Sequence, residues 1–255
     1  MLGYYTFDNS DATDSSGNGA NGTLGVNSSF AVGQGVDGET AAQFTVSGSS
    51  DFISVPIDMN PGLGPDFTIA GWFLVDDNAG VAMSRMAVSH DNGGFDRTIA
   101  LDTRTGTSTT RGAESFAAFG GPTTGVVPSS DDFDRPGDLG EWFFVAVTYR
   151  EGVPDGSTLY VANQDLTQFS IDTFTADNGD GFDNTAIGGT YRYPTQDWDG
   201  LIDNVGFYGR ALTEREVRNY AISSSISTVP LPAAAPMLMV GLAGLYLGAR
   251  RRRKS

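Results

Sequence analysis

Trp142-Phe143-Phe144-Val145-Ala146-Val147-Thr148-Tyr149 is an uncharged run of aromatic, β-branched and small apolar residues. It is almost fully apolar, which is the pattern of a strand buried on both faces. Phe67-Thr68-Ile69-Ala70-Gly71-Trp72-Phe73-Leu74-Val75 is a second run of the same kind. Outward from these two, shorter candidates recur at Gly3–Phe7, Ala42–Val46, Phe52–Val55, Thr98–Leu101, Ser115–Phe119, Thr158–Val161, Gln168–Ile171, Thr185–Ile187 and Leu201–Tyr208. Gly, Asn, Asp and Ser separate them, with no helical period in between. The pattern predicts an all-β chain of two antiparallel sheets packed as a sandwich, with Trp72 and Trp142 in the core. The one helix signal is Thr213-Glu214-Arg215-Glu216, a capping box opening a short helix to about Tyr220.

Composition bounds the function. At 255 residues the chain is one large domain or two small ones, and its 39% hydrophobic content suffices for a core. It has no cysteine and one histidine. Disulfides, thiolate nucleophiles, zinc fingers, iron–sulfur clusters and multi-histidine metal sites are therefore excluded. The formal net charge is −16, and 10 basic residues face 31 acidic ones before position 229. Such a surface argues against nucleic-acid binding and can concentrate divalent cations.

The C-terminus has its own grammar. Val229 to Ala249 are 21 residues without a charge, and Arg250, Arg251, Arg252, Arg253 and Lys254 follow directly. As a helix the span covers roughly 31 Å at ~1.5 Å per residue, about one bilayer core. The most apolar part, about 233–249, is expected to be one transmembrane helix, with the basic tail on the cytoplasmic side and the acidic domain opposite. Ser223 to Thr228 read as a Ser-rich linker. In Val229-Pro230-Leu231-Pro232 the prolines keep the chain extended until after Pro232. An extended motif, an apolar helix and a basic tail in that order resemble the PEP-CTERM sorting signal, in its Val-Pro-Leu-Pro-Ala variant. The resemblance implies export and recognition by an exosortase-type membrane enzyme. It would leave the protein in the cell envelope or outside it, transiently membrane-anchored. An exported protein needs an apolar N-terminal signal. This chain reaches polar sequence by Asp8, so its true start is expected upstream, or the chain to be a fragment.

Several phrases resemble the laminin-G-like, concanavalin A-like jelly-roll family. They are Tyr5-Thr6-Phe7-Asp8 with Asp14-Ser15-Ser16-Gly17-Asn18-Gly19, then Asp51-Phe52-Ile53-Ser54-Val55-Pro56, then the two long apolar runs. The last is Gly200-Leu201-Ile202-Asp203-Asn204-Val205 with Arg210-Ala211-Leu212-Thr213. The match spans about residues 3–222 in the right order. It implies a jelly-roll domain over 1–222, a linker over 223–228 and the sorting signal over 229–255. Ligands of this fold usually bind at edge loops or on the concave face.

Catalytic chemistry finds little support. The paired carboxylates of retaining glycosidases on this fold, at alternate strand positions, are missing, and the i,i+4 pair Asp199 and Asp203 offers little. His90, in Ser89-His90-Asp91-Asn92-Gly93-Gly94, reads as a surface-loop histidine. Calcium, which takes hard oxygen ligands, is the better case. The resemblance places calcium where the opening loop meets the closing strand, with Asp14 and Asp203 as ligands and Asn18 and Asn21 near it. Asp203 interrupts an apolar run, and a half-buried charge needs a partner. The second acidic loop, Asp177–Asn184, fails the EF-hand pattern and reads as a turn-rich hairpin. Tyr191, Tyr193 and Trp198, in a stretch with few aliphatic residues, are the candidate glycan contacts. The expected function is an exported, non-enzymatic, calcium-assisted module that binds glycan or surface protein. The alternatives are a polysaccharide-acting hydrolase of the same fold and a purely structural matrix protein.

Overall fold

A computed structural model of the chain describes residues 1–45, 51–76, 85–102, 115–130 and 140–225. Its strands are β1 (Gly3–Tyr5), β2 (Ser29–Val32), β3 (Thr40–Phe44), β4 (Ile53–Val55), β5 (Asp66–Val75), β6 (Arg85–Ser89) and β7 (Thr98–Asp102). They continue with β8 (Ser115–Phe119), β9 (Val126–Pro128), β10 (Trp142–Arg150), β11 (Ser157–Asn163), β12 (Phe169–Phe174), β13 (Thr185–Ile187) and β14 (Gly200–Tyr208). One helix, α1 (Glu214–Ser224), follows. The two long apolar runs are antiparallel neighbours, in register from Trp142↔Leu74 to Arg150↔Asp66. They form the middle of a sheet ordered β12-β11-β10-β5-β14-β3-β2, with β1 also on β14. The second sheet runs β4-β13-β6-β7-β8-β9. The expected all-β, two-sheet antiparallel sandwich is the observed fold.

The continuous apolar character of β5 and β10 has a direct cause. Phe143, Val145, Val147 and Tyr149 point into the core between the sheets, with Phe67, Ile69 and Phe73 of β5. Trp142, Phe144 and Ala146 point the other way with Ala70 and Trp72, and there meet Leu212, Val217, Tyr220 and Ala221. Helix α1 therefore covers the outer face of the large sheet, and neither side of the central strands is left to water. Trp72 and Trp142 are buried as expected.

The Thr213 capping box forms: Thr213 Oγ1 accepts the Glu216 N–H, and Glu216 accepts the Thr213 N–H. The helix runs past Tyr220 to Ser224, so the expected spacer from residue 223 begins as helix. The reason is a buried contact, in which the Trp72 indole N–H donates to Ser224 Oγ at 2.9 Å. Strands β2 and β6 are not legible in the sequence because each is short and lacks a dense aromatic or β-branched run, and β9 because it is three residues long and ends on Pro128. Among the described residues no helix is long and apolar enough to cross a membrane. The expected transmembrane helix, the sorting motif and the basic tail lie outside the described residues.

Candidate functional site

The closing strand builds the first cluster. Along one edge of β14, β3 pairs Gly200–Ile202 and β1 pairs Val205–Phe207. Asp203 and Asn204 fall in the gap between these partners, where the register with β5 also shifts. Asn204 takes a positive φ of 50° there. Its amide is held on both sides, donating to the Ser224 carbonyl at 3.0 Å and accepting the Tyr4 hydroxyl at 2.5 Å. Asp203 is fully buried. Its Oδ2 accepts the Val36 N–H at 3.0 Å, while Oδ1 has no hydrogen-bond partner. A Cβ on Gly35 would stand 2.8 Å from Oδ2, so only glycine lets the β2–β3 turn come this close. Burial, reinforced by the charge of Asp37, holds the Asp203 carboxyl well above the usual carboxylate range. Asp8 adds to the same field.

Asp14, Asn18 and Asn21 have a different task. Asp14 Oδ1 accepts the N–H groups of Tyr4 at 3.0 Å and Ser16 at 2.9 Å, and Oδ2 accepts that of Ala20 at 3.1 Å. Asn21 Oδ1 accepts the Asp14 N–H, and Asn18 Nδ2 donates to the carbonyls of Met1 and Leu2. The opening loop thus spends these side chains on its own backbone, and Asp14 shares no hydrogen-bond partner with Asp203. The acidic neighbours of Asp203 are Asp37 and Asp8, which the sequence reading did not single out. Among the described residues no group of three His, Cys, Asp or Glu side chains is arranged to hold a metal.

The aromatic candidates divide. Trp198 is fully buried, its ring packed between Phe73 at 5.9 Å and Phe116 at 6.2 Å, and its indole N–H donates to the Leu74 carbonyl. It is a core residue, which corrects the expectation that it contacts a ligand. The burial follows from its place directly before β14, where the chain turns into the space between the sheets. Tyr191 and Tyr193 stay half-buried on the connection between β13 and β14. Tyr191 stands edge-on to Phe52 at 4.5 Å and lies 5.2 Å from Phe182, which is 37% exposed. Its hydroxyl is 2.5 Å from that of Ser54 on β4. The Arg192 guanidinium sits 5.1 Å from the Tyr193 ring centre. Three distant segments therefore build one aromatic rim beside an edge strand. Phe52 and Phe182 were missed because nothing in the sequence separates a rim aromatic from a core one.

Beneath this rim lies Asp197, fully buried. Its Oδ2 accepts the Asp51 N–H at 3.1 Å, and its main-chain carbonyl accepts Arg85 Nη1 at 3.1 Å. Burial first, with the nearby Asp51 charge, pushes its carboxyl up to about 7. An open cleft of about 590 Å³ lies elsewhere, bounded by Asn18, Ile57, Asp58, Leu63, Asp66 and Phe67.

Two further expectations are corrected. His90 is fully buried rather than on the surface, because the 177–184 segment folds over it: Phe182 N–H donates to the His90 carbonyl, and His90 Nδ1 lies 3.2 Å from the Phe182 carbonyl. Its pKa is lowered to about 4 by desolvation. That segment is no hairpin, since it joins β12 of one sheet to β13 of the other. Asp203, having no exposed surface, is also removed from any acid–base pair with Asp199.

The family model described as the concanavalin A-like lectin/glucanases superfamily, Laminin_G_3, matches residues 47–218. No curated protein matches the sequence. Among solved structures, the binding domain of Paraclostridial Mosquitocidal Protein 1 is similar with a TM-score of 0.61 and 17% identity, over 87% of this chain and 52% of that one. The botulinum neurotoxin serotype D binding domain follows with a TM-score of 0.59 and 12% identity, over 87% and 51%. Botulinum neurotoxin type C, which depends on interaction with two ganglioside molecules to get into cells, has a TM-score of 0.54 and 12% identity, over 88% and 50%. At these identities the likeness is one of fold, and the chain spans about half the length of the structures it matches. With the family model covering most of the sandwich, the chain belongs to the concanavalin A-like lectin/glucanases superfamily.

Proposed function

We propose that the chain is a non-enzymatic glycan-binding module of a cell-surface or extracellular protein. The observation that carries this reading is the rim of Phe52, Tyr191 and Phe182 beside Ser54, with the Arg192–Tyr193 pair next in the chain. Amphipathic rings can stack on the apolar face of a sugar while neighbouring polar groups bond its hydroxyls. The fold is shared with toxin binding domains, one of them from a toxin that interacts with gangliosides. A hydrolytic reading finds no support in the one carboxylate pair the sequence offered, because Asp203 is fully buried.

Calcium assists in this reading at the closing strand. Asp203 would supply its unpartnered Oδ1, and the ion would neutralise a buried charge and hold the β2–β3 turn against β14. The C-terminal segment directs the module outward. Val229-Pro230-Leu231-Pro232, the apolar stretch and Arg250–Arg253 would serve as a sorting signal read by an exosortase-type enzyme. A glycan array probed with and without calcium tests the binding reading. Binding that is lost in Tyr191→Ala and Tyr193→Ala supports it, and a folded chain that binds no glycan in either condition rejects it.

A further inference from the structure

The Asp51–Asp197 pair leaves more buried oxygen than the protein satisfies. Both residues are fully buried. Each carboxylate spends one oxygen locally: Asp51 Oδ1 accepts the Asn27 N–H at 3.1 Å and the Ser28 hydroxyl at 3.2 Å, and Asp197 Oδ2 accepts the Asp51 N–H. The second oxygen of each, Asp51 Oδ2 and Asp197 Oδ1, has no hydrogen-bond partner, and neither has Oε1 of the adjacent buried Gln196. Arg85 spends Nη1 on the Asp197 main-chain carbonyl, and no donor reaches Oδ1. The space at Oδ1 is kept open by glycine, since a Cβ on Gly189 would stand 2.5 Å from it. Gly189 has no positive φ, so steric room and not backbone conformation explains a glycine there.

An unpartnered buried carboxylate oxygen is costly, and the nearby Asp51 charge adds to that cost at Asp197. The unused donors are all oxygens, carboxylate and amide, without nitrogen or sulfur. That set suits a hard cation that accepts a flexible oxygen shell, and such an ion would complete the offset that the buried Arg85 guanidinium gives Asp197 only in part. We propose that Asp51 and Asp197 hold a calcium ion between them, at a site separate from Asp203. The consequence is mechanical. Asp51 precedes Phe52, and Asp197 Oδ1 lies against Gly189, two residues before Tyr191. An ion here ties together the two segments that meet in the aromatic rim.

The test uses the full chain, stripped with chelator and titrated with calcium, in an Asp203→Asn background that removes the other site. One equivalent of calcium should still bind and raise Tm. Adding Asp197→Asn or Asp51→Asn should abolish the rise and weaken binding on the order of 100-fold, as expected when one of two charged ligands is lost. No calcium binding in the Asp203→Asn chain, or unchanged binding in the folded Asp197→Asn chain, overturns the proposal. Should these variants not fold, crystals of the unmutated chain soaked in calcium or terbium decide. An ion peak contacting both carboxylates supports the site, and its lack at saturating ion overturns it. A protonated carboxyl infrared band that persists in saturating calcium and disappears in Asp197→Asn also overturns it, since a shared proton would then do the ion's work. None of these readouts involves glycan binding, so the two readings fail separately.

Discussion

Nε of Arg97, fully buried, donates to Oε1 of Glu151 at 2.9 Å, joining β7 to the turn after β10 and so one sheet to the other. The remaining guanidinium nitrogens donate to the carbonyls of Met59, Gly64 and Pro65, all at 3.0 Å. The rings of Phe67 and Tyr149 lie 5.5 and 5.4 Å from its centre. One side chain thus satisfies a carboxylate and three carbonyls at the end of the sandwich.

Arg97→Leu should cost about 3–5 kcal/mol in chemical denaturation, because it strands the charge of Glu151 and three carbonyls. Arg97→Lys should recover little, as an ammonium on a flexible stem cannot serve four acceptors in this fork geometry. The double variant Arg97→Leu/Glu151→Leu should be more stable than Arg97→Leu alone. A double variant no better than the single would show that the carboxylate is not what suffers.

His90 makes stability depend on pH. Its folded pKa of about 4 lies below the ordinary 6.5, so the unfolded chain takes the proton first as pH falls. Stability is therefore lost between pH 6.5 and 4, by about 3 kcal/mol at ~1.36 kcal/mol per unit. Asp91 and Asp180 favour the charged ring, and Arg97 opposes it. The measurement is the difference between the wild type and His90→Gln across that window, since other groups titrate there too. Parallel stability curves for the two chains would show that His90 does not titrate in this way.

Calcium at Asp203 should raise stability by about 2.7 kcal/mol at a hundredfold excess over Kd. Asp203→Asn should lose that increment while folding normally in chelator, where it removes an uncompensated buried charge. Identical melting of wild type and Asp203→Asn at every calcium level would reject a calcium role for this residue.

The aromatic residues should separate stability from binding. Trp198→Ala should destabilise by about 3–5 kcal/mol through the cavity it opens between Phe73 and Phe116. Tyr193→Ala should leave the melting temperature within the scatter of surface changes and reduce glycan binding. Equal loss of stability in both would place Tyr193 in the core instead.

The tail should be processed. With an upstream signal supplied and a host carrying a matching exosortase-type enzyme, mature protein should lack the segment after Val229–Pro232. Pro230→Ala/Pro232→Ala should block that processing and leave full-length protein. Intact Arg250–Ser255 on all surface-exposed wild-type protein, read by mass spectrometry, would make the segment a permanent anchor.

The sequence by itself determined the class of fold. Strands β5 and β10 are legible because burial on both faces demands apolar residues without alternation, and that demand is written locally. The helix start is legible for the same reason, since Thr213 and Glu216 bond within one turn. Composition alone removed thiol, zinc-finger and iron–sulfur chemistry. The site was not local. Whether an aromatic packs inward or stands on a rim depends on which segments pass it, so Trp198 entered the core while Phe52 and Phe182 joined Tyr191. Asp203 meets Asp37 and Val36 only because β1 and β3 share one edge of β14. His90 became buried because a distant crossover folds over it. Asp51 and Asp197, 146 residues apart, share a hydrogen bond that sequence separation conceals. Hydrophobic pattern is a property of a strand, whereas charge pairing and ligand geometry are properties of contacts between strands, and these exist only once the sheets have closed.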